Sequence, residues 1–319
     1  ARVRHAHVLQ WQDRFEEASA EFGQCLAELD AAGDHAHFVY QHAGKCAYDF
    51  ADWPAAVAHF EQALRLRESL GDAELVASTR LALDAADACA TASAVAAQLH
   101  RLVPGAHGAA RRPGAPIVAP AQPYVAILIN SRNLLLAGPA PLAAVRAIHR
   151  YHADWFDGAL SDLAGRGWLE LGPDTVVATE RCRELLTSMM ALFDEVLTPL
   201  WGAPADLLGT LDALIDAARG TSEGDSFDAL AAAGHPGEGT VAGRLFTALC
   251  ALRHHRADAH AAAWQAQGLT ADGVQALDPA LPRRRRIEAA TDQVAARPYR
   301  TLRRPTRRAL VDTLGALPV

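Results

Sequence analysis

The most regular pattern of apolar and polar positions in the chain lies between Thr240 and Gly268. Its first half is an apolar stripe at helical spacing, formed by Val241, Leu245, Leu249 and Leu252. Its second half is polar within little more than two turns and carries Arg253, His254, His255, Arg256, Asp258 and His260. The spacing predicts one long helix. Such a helix either reaches the surface in its second half or lines a polar cavity there.

A helical repeat is predicted in residues 1–98. Three apolar positions recur at an offset of 38 residues: Ala18, Phe22 and Cys25 return as Ala56, Phe60 and Ala63. Gly44 precedes Ala56 by twelve residues. Small residues at these positions let two helices approach closely around one aromatic side chain. The pattern resembles tetratricopeptide repeats, although Tyr40 and Glu68 replace the usual Trp and Pro. That resemblance implies a protein partner bound through the repeats, and residues 74–99 form a degenerate third repeat or a capping pair. The alternative is a plain array of helical hairpins without a partner.

Residues 99–124 are predicted to be a linker rich in Pro, Gly and Ala. Five prolines lie in this segment, at Pro104, Pro113, Pro116, Pro120 and Pro123. Proline lacks the amide hydrogen that a helix or a central strand needs, so we expect neither element here. This boundary divides the chain into repeats, linker, a third part (residues 125–202) and a fourth part (residues 203–319).

Residues 125–202 predict two short helices, a hairpin and a long helix. Pro141–His149 is the first helix, and the second runs over Trp155–Arg166 with Asp154 as its N-cap. A Gly-Trp-Leu-Glu strand, a turn at Gly172–Asp174 and a Thr-Val-Val strand follow. This order resembles a winged helix-turn-helix of the MarR type. The resemblance places the second helix where a recognition helix enters DNA.

The charges argue against direct DNA binding by this region. Burial of Phe156, Leu160 and Leu163 turns Asp154, Asp157 and Asp162 outward on the second helix. Carboxylates in that position are repelled by phosphates. We therefore expect a domain that keeps the fold without the usual nucleic-acid contact.

The last part, residues 203–319, predicts a helical bundle with an arginine-rich tail. An amphipathic helix over Asp206–Arg219 is followed by a polar loop, Gly220–Gly239, and then by the long helix. Between Arg283 and Arg308 there are ten arginines and two acidic residues. Such a tail can bind nucleic acid, an acidic protein surface or the acidic repeats of this chain, or simply cover a helix surface. Residues 1–95 carry 15 acidic and 7 basic residues.

Two sequence runs resemble a poorly characterised actinobacterial family of MarR-like proteins. The first run matches at Arg253, Arg256, Asp258, His260 and Trp264, and the second at Ile287, Glu288, Thr291 and Asp292. The resemblance covers Val125–Val319, and it implies a regulatory role. Such proteins usually carry a second winged element between Gly268 and Ile287, and this chain has only a short segment there.

Three interpretations of the polar cluster remain open. It can be structural, with Arg253 or Arg256 paired to Asp258. It can form a pocket in which both arginines hold an anionic or carbonyl group and His260, oriented by Asp258 or Glu288, donates a hydrogen bond. It can also bind a metal through His254 and Asp258, with His235 as a further ligand. We take the pocket residues as the candidate site, with no metal or cofactor: Arg253, Arg256, Asp258, His260, Trp264 and Glu288.

Composition agrees with an all-α fold that has one small β-hairpin wing. Apolar residues make up 50% of the chain and aromatic residues only 6%, which favours helices packed through small side chains. The five scattered cysteines show no CxxC spacing and predict a cytoplasmic protein with reduced thiols. No apolar run is long enough for a membrane span. The first residue is Ala1, which is compatible with a chain that begins part-way through a longer polypeptide.

The function that these patterns favour is regulatory. We expect a protein-docking repeat module joined to a winged-helix-like domain that binds a small ligand. One alternative is an enzyme of specialised metabolism that uses Arg256, Asp258 and His260, although familiar catalytic motifs such as GxSxG and HExxH are absent. The other alternative is a non-catalytic scaffold.

Overall fold

A computed structural model describes residues 2–29 and 35–319. The fold is all-α with one small antiparallel sheet, as the sequence predicts. The chain forms two compact units. The first contains the residues up to Ser93 together with Leu302–Arg307, and the second contains Ala94–Thr301 and Arg308–Val319. In the described ranges, no helix combines the length and apolar character that a membrane span requires.

The first unit is built from antiparallel helices that are neighbours in sequence. They are α1 (Arg2–Trp11), α2 (Phe15–Ala27), α3 (Ala36–Asp49), α4 (Trp53–Leu70) and the first part of α5 (Ala73–Val118). Helix α1 packs on α2, α2 on α3, and α3 on α4. Asp52 caps α4 by accepting a hydrogen bond from the Ala55 amide at 3.1 Å, and Gly71 ends it with a left-handed φ of 73°.

The repeated small and aromatic positions form the core of this unit, as predicted. Ala18 and Phe22 are 0% and 2% exposed, and their counterparts Ala56 and Phe60 are 0% and 1% exposed. Gly44 on α3 faces the Phe60 ring so closely that a Cβ atom at position 44 would lie 2.7 Å from it. The glycine is therefore required by the approach of α3 to α4.

Two arginines of the predicted tail pair with acidic residues of the repeats. The Arg304 guanidinium lies 2.7 Å from Glu61 and 3.0 Å from Asp87. Arg307, which is 1% exposed, lies 2.5 Å from Asp84 and 3.0 Å from Asp87. These two residues are therefore paired with acidic side chains of the first unit, to which both belong.

The expectation that prolines exclude helix from the predicted linker is wrong. Helix α5 continues to Val118 with Pro104, Pro113 and Pro116 inside it, and a short 3₁₀ helix follows at Ala119–Ala121. All three prolines are exposed, whereas residues of the opposite face, such as Leu102 and Ala106, are buried. Packing of that apolar face offsets the loss of three helical hydrogen bonds on the solvent side. The four-part division of the chain stays a prediction.

The second unit contains a small sheet among helices. Its first part comprises α6 (Val125–Asn130), α7 (Arg132–Ala137), β1 (Ala140–Pro141), α8 (Leu142–Ile148), α9 (Ala153–Gly165), β2 (Leu169–Leu171), β3 (Thr175–Ala178) and α10 (Glu180–Trp201). The strand order is β1-β3-β2, with Leu169 opposite Ala178 and Ala140 opposite Val176. The predicted hairpin is present. The strand β1 and the helices α6 and α7 were not foreseen.

Helix α9 exposes the acidic face that its pattern predicts. Phe156 and Leu163 are buried, and Asp154, Asp157 and Asp162 are exposed. The helix begins earlier than expected, so Asp154 lies in its first turn and is not the N-cap. A carboxylate there still interacts favourably with the positive end of the helix dipole.

The rest of the second unit surrounds the predicted long helix. The elements are α11 (Ala205–Arg219), α12 (Asp225–Ala233), α13 (Val241–Ala266), α14 (Ala271–Gln275), α15 (Pro282–Ala295) and α16 (Arg304–Ala316), of which Arg308–Ala316 lies in this unit. Helix α13 packs against α10, α11, α12 and α15, and Thr240 caps it through the Gly243 amide. The predicted loop at 220–239 is partly wrong, because α12 buries Phe227 and Leu230 there.

Replacing Gly44 by Ala is expected to destabilise the repeat unit by about 1–3 kcal/mol, because the added methyl group overlaps the buried Phe60 ring. Gly23→Ala is the matched control: a methyl group added at this exposed glycine of α2 would meet no atom within 4 Å, so the change should stabilise by roughly 0.5–1 kcal/mol. Urea denaturation of the full chain measures both. Equal effects of the two substitutions would contradict the close approach.

Candidate functional site

The polar half of α13 faces two neighbouring cavities in the second unit. The outer pocket, of about 710 Å³, is lined by polar side chains from several elements: His100, Tyr151, His152, Arg253, Arg256, His260, Arg284 and Glu288. The inner cavity has a volume of about 220 Å³ and shares Tyr151, His152 and Arg253 with the outer pocket. Its other polar lining residues are His107, Asn130, Arg132, Asn133, His149, Cys250 and His254. Arg253 and Ala257 of α13 line both.

Asp258 belongs to neither cavity. Its side chain is 1% exposed and pairs with the Arg150 guanidinium. It also accepts hydrogen bonds from the Ser226 hydroxyl at 2.6 Å and from the Phe227 amide at 2.8 Å. The predicted pairing of Asp258 with Arg253 or Arg256 is therefore wrong. The carboxylate instead holds the start of α12 against α13, which makes its role structural.

Arg256 and His260 are organised by α15 and by Tyr151. The Arg256 guanidinium lies 2.5 Å from Asp292 and 3.5 Å from Glu288. The Nδ1 atom of His260 is 2.8 Å from the Tyr151 hydroxyl, and its Nε2 atom is 3.4 Å from Glu288. Of the two carboxylates considered for orienting His260, only Glu288 lies beside it.

Glu288 is held in its charged form by its neighbours. The His260 imidazole has the largest effect in lowering the pKa of this carboxyl below its ordinary value, and Arg284 and Arg256 act in the same direction. Partial burial opposes them. Arg284, one turn away on α15, approaches Glu288 to 2.9 Å. Two guanidinium groups of the outer pocket, Arg256 and Arg284, thus flank one ionised carboxylate.

Arg253 is the residue of this set without a partner. It is exposed, and it makes no hydrogen bond or ion pair with any of residues 2–29 or 35–319. Trp264 has the opposite placement: it is 6% exposed, does not line the pocket, and packs with Ala261, Val274 and Ile287. The structure therefore brings together Arg253, Arg256, His260 and Glu288, and it leaves Asp258 and Trp264 as packing residues.

The three proposed metal ligands do not form one site. His235 lies 2.9 Å from the Thr247 hydroxyl, and Asp258 is occupied by α12 and Arg150. Across the described ranges, no group of three or more His, Cys, Asp or Glu side chains is placed to hold a metal ion.

Several histidines near α13 are held in their neutral form. Burial lowers the pKa of His254 to about 3, with a smaller contribution from the Arg253 and Arg150 charges. Burial likewise lowers the pKa values of His107, His149 and His255 to about 4. These side chains are consequently neutral hydrogen-bonding groups at physiological pH.

Sequence reasoning missed most of the inner cavity. His107 lies in the predicted linker and His149 at the end of the first predicted helix, whereas Arg132 and Asn133 lie on α7, which the pattern does not predict. Their convergence depends on contacts between distant parts of the chain, and no motif marks it. Only the run of polar residues on α13 pointed to this region.

Comparison with known proteins identifies no relative: no family model, no curated protein and no solved structure matches the chain.

The neutral histidines predict a steep loss of stability in mild acid. Their pKa values rise to about 6.5 on unfolding, so between pH 6.5 and 4 the unfolded chain binds more protons than the native one and unfolding becomes easier as the pH falls. His254→Gln should reduce the pH dependence of the free energy of unfolding by about 1.4 kcal/mol per pH unit, which corresponds to one proton.

Urea denaturation at pH 7, 6 and 5 measures this dependence. The exposed Gln265→Asn, which changes no titratable group, serves as the control, and its curve should stay parallel to that of the unmodified protein. A parallel curve for His254→Gln as well would show that His254 does not titrate differently in the folded and unfolded states.

Proposed function

We propose that this chain is a regulatory protein that binds a small anionic or carbonyl-bearing molecule in its outer pocket and docks on a protein partner through its repeats. The observation that carries the proposal is the unpaired Arg253 guanidinium at the pocket. Arg256 and Arg284 lie in the same lining, and Glu288 is its one carboxylate. An excess of guanidinium groups over carboxylates is suited to a ligand with acceptor oxygens.

The element order of the second unit supports a winged-helix, MarR-like interpretation of this region. Two helices, α8 and α9, precede the β2–β3 hairpin, β1 completes the sheet, and the long α10 follows. Direct DNA binding is not part of the proposal, because α9, which would be the recognition helix in this order, has an acidic exposed face. Two carboxylates of that face are paired: Asp157 lies 2.7 Å from Arg146, and Asp162 lies 3.1 Å from Arg166.

Part of the arginine-rich tail is occupied by carboxylates of the same chain. Arg304 and Arg307 pair with acidic residues of the first unit, and Arg297 lies 2.6 Å from Glu223. Six of the ten arginines are exposed: Arg285, Arg286, Arg297, Arg300, Arg303 and Arg308. The tail therefore stays the one segment through which nucleic-acid binding is kept as a proposal, because exposed guanidinium groups attract backbone phosphates.

The docking role rests on an aromatic patch formed by α1 and α3, defined here as His7, Trp11, Phe38 and His42. The ring centroids of His7 and Trp11 lie 6.1 Å apart, those of His7 and His42 4.2 Å, and those of Phe38 and His42 4.5 Å. Trp11 is 79% exposed and Phe38 49%. His7 and His42 between them are half-buried. Neighbouring exposed aromatic side chains such as Trp11 and Phe38 are typical of a protein-binding site.

The enzyme alternative is less well supported, because Asp258 does not share a pocket with Arg256 and His260. A general acid–base role for His260 would depend on Glu288 and Tyr151 instead, which are 3.4 Å and 2.8 Å from its ring nitrogens. The scaffold alternative corresponds to an outer pocket that takes no ligand.

Substitution of Arg253 by Ala should weaken anion binding about tenfold or more without unfolding the protein, because this exposed side chain forms no hydrogen bond or ion pair with the described residues. Isothermal titration with citrate and with inorganic phosphate measures the effect, and neutral glycerol provides the uncharged comparison. Arg111→Ala, an exposed arginine of α5 outside the lining, is the matched control. No anion binding to the unmodified chain, or equal binding by both variants, would favour the scaffold.

The double substitution Trp11→Ser and Phe38→Ser should abolish binding of a partner to the repeats. The test compares proteins captured from an extract of the native host by the unmodified chain, by the double variant and by Leu81→Ser. Leu81 is 67% exposed and lies outside the aromatic patch, which makes it the control. A captured protein should then be purified and titrated with all three chains, and equal affinities would exclude the patch.

A further inference from the structure

Arg132, the first residue of α7, is a buried cation without a buried anion. It is 3% exposed, and it forms no ion pair with a carboxylate of residues 2–29 or 35–319. Its guanidinium donates to the Ile129 carbonyl at 2.8 Å and approaches the Cys250 sulfur at 3.7 Å. Its Nε atom is buried with no hydrogen-bond partner. A buried charge in this state is costly unless a counter-charge is supplied.

Two aromatic rings partly stabilise the Arg132 charge, which no carboxylate of the described residues neutralises. The guanidinium carbon lies 5.0 Å from the centre of the Phe193 ring and 4.8 Å from that of Phe246. A cation–π contact contributes on the order of 1–2 kcal/mol when it is desolvated, which is less than the cost of burying an isolated ion. The rings also fix the orientation of the guanidinium plane.

The inner cavity offers space for the missing anion. No aspartate or glutamate belongs to its lining, and Arg253 adds a second cation at its edge. The neighbouring Asn133 is 3% exposed, and its Oδ1 atom is buried without a partner, as is the Nδ1 atom of His254. Buried polar atoms that lack partners are rare in folded proteins. A carboxylate in the cavity can accept from the Arg132 Nε–H and from His254 Nδ1 when that nitrogen carries the proton, and from Asn133 only through the NH2 group of its amide, because the Oδ1 atom is itself an acceptor.

Several other titratable groups face the cavity. They are His107 on α5, His149 and His152 beside α8, Tyr151, Cys250 and His254 on α13. Burial lowers the pKa values of His107 and His149 to about 4, and the Arg132 charge contributes further to the shift at His107. Neutral imidazoles can accept or donate one hydrogen bond without competing with Arg132 for the anion.

We propose that the inner cavity binds a small carboxylate, with the Arg132 guanidinium as its counter-charge and the Asn133 side-chain amide as its second polar contact. The volume of about 220 Å³ corresponds to about seven water molecules, so the ligand is a short-chain acid and not a nucleotide. The remaining lining is apolar, with Val103, Ile148, Leu230 and Ala257, and it accommodates the hydrocarbon part of such an acid. A planar carboxylate also matches the fork of a guanidinium.

This site is independent of the function proposed for the outer pocket. Arg132 and Asn133 do not line the outer pocket, and Arg256, Arg284 and Glu288 do not line the inner cavity. Arg253 borders both and therefore cannot distinguish them. Substitutions at Arg132 and Arg284 assign a bound anion to one cavity or the other.

The test is calorimetric titration of the full chain with butanoate, butanamide and inorganic phosphate. Butanoate should bind, and butanamide, which has nearly the same shape without the charge, should bind at least tenfold more weakly. Arg132→Met keeps much of the length of the side chain and removes the charge, and it should reduce butanoate affinity at least tenfold. Arg284→Ala should leave butanoate affinity unchanged while it affects binding in the outer pocket.

A second variant and a second measurement keep the test conclusive if the Arg132→Met protein does not fold. Asn133→Ala should weaken butanoate severalfold, and the carboxyl carbon resonance of ¹³C-labelled butanoate should shift with the unmodified chain but not with Arg132→Met. Equal affinity for butanoate and butanamide, or undiminished butanoate binding by a folded Arg132→Met protein, would overturn the proposal. Preference for phosphate over butanoate would overturn the assignment to a carboxylate.

Discussion

The second unit depends on one constraint: α13 is packed on several sides by other helices, yet half of it is polar. A helix in that position must find partners for its charged groups inside the unit, because water reaches few of them. Asp258 does so through Arg150, Ser226 and the Phe227 amide. Arg256 does so through Asp292 on α15. These two contacts fix α12 and α15 against α13, and the two cavities are the spaces that remain between the helices so placed.

Charge is distributed unequally between the two units. In the first, acidic residues are in excess, and the buried arginines are fully engaged: Arg307 by Asp84 and Asp87, and Arg67 by Gln41 and Thr79. In the second, Arg132 and Arg253 have no carboxylate beside them among the described residues. An arginine without an acidic neighbour is costly when buried and available when exposed. Both of these arginines line cavities of the second unit: Arg132 lines the inner cavity, and Arg253 lines both cavities.

Local periodicity predicted the elements that depend on sequence neighbours. The extent of α13, the β2–β3 hairpin, the buried face of α9 and the repeated Ala and Phe positions follow from spacing alone, because each is decided within a few turns. The prolines of α5 were misjudged, since their tolerance depends on which face of the helix meets the core. That face is known only when the packing is known.

The candidate site was predictable only in part for the same reason. Arg256, His260 and Glu288 meet because α13 and α15 are adjacent, and the two sequence runs had already marked these helices. The partner of Asp258 is 108 positions away in sequence, and nothing in the pattern distinguishes Arg150 from other arginines. Arg132 gave no signal, because one arginine after an apolar segment usually marks the surface.

The solvent-side prolines of α5 have a mechanical consequence. Each proline leaves the carbonyl group four residues earlier without its usual amide donor, and on the exposed face water can take that place. Loss of hydrogen bonds along one side lets a helix curve with its convex side toward solvent. Pro104, Pro113 and Pro116 therefore give the later part of α5 a means of bending around the hydrophobic interior while its apolar stripe stays unbroken.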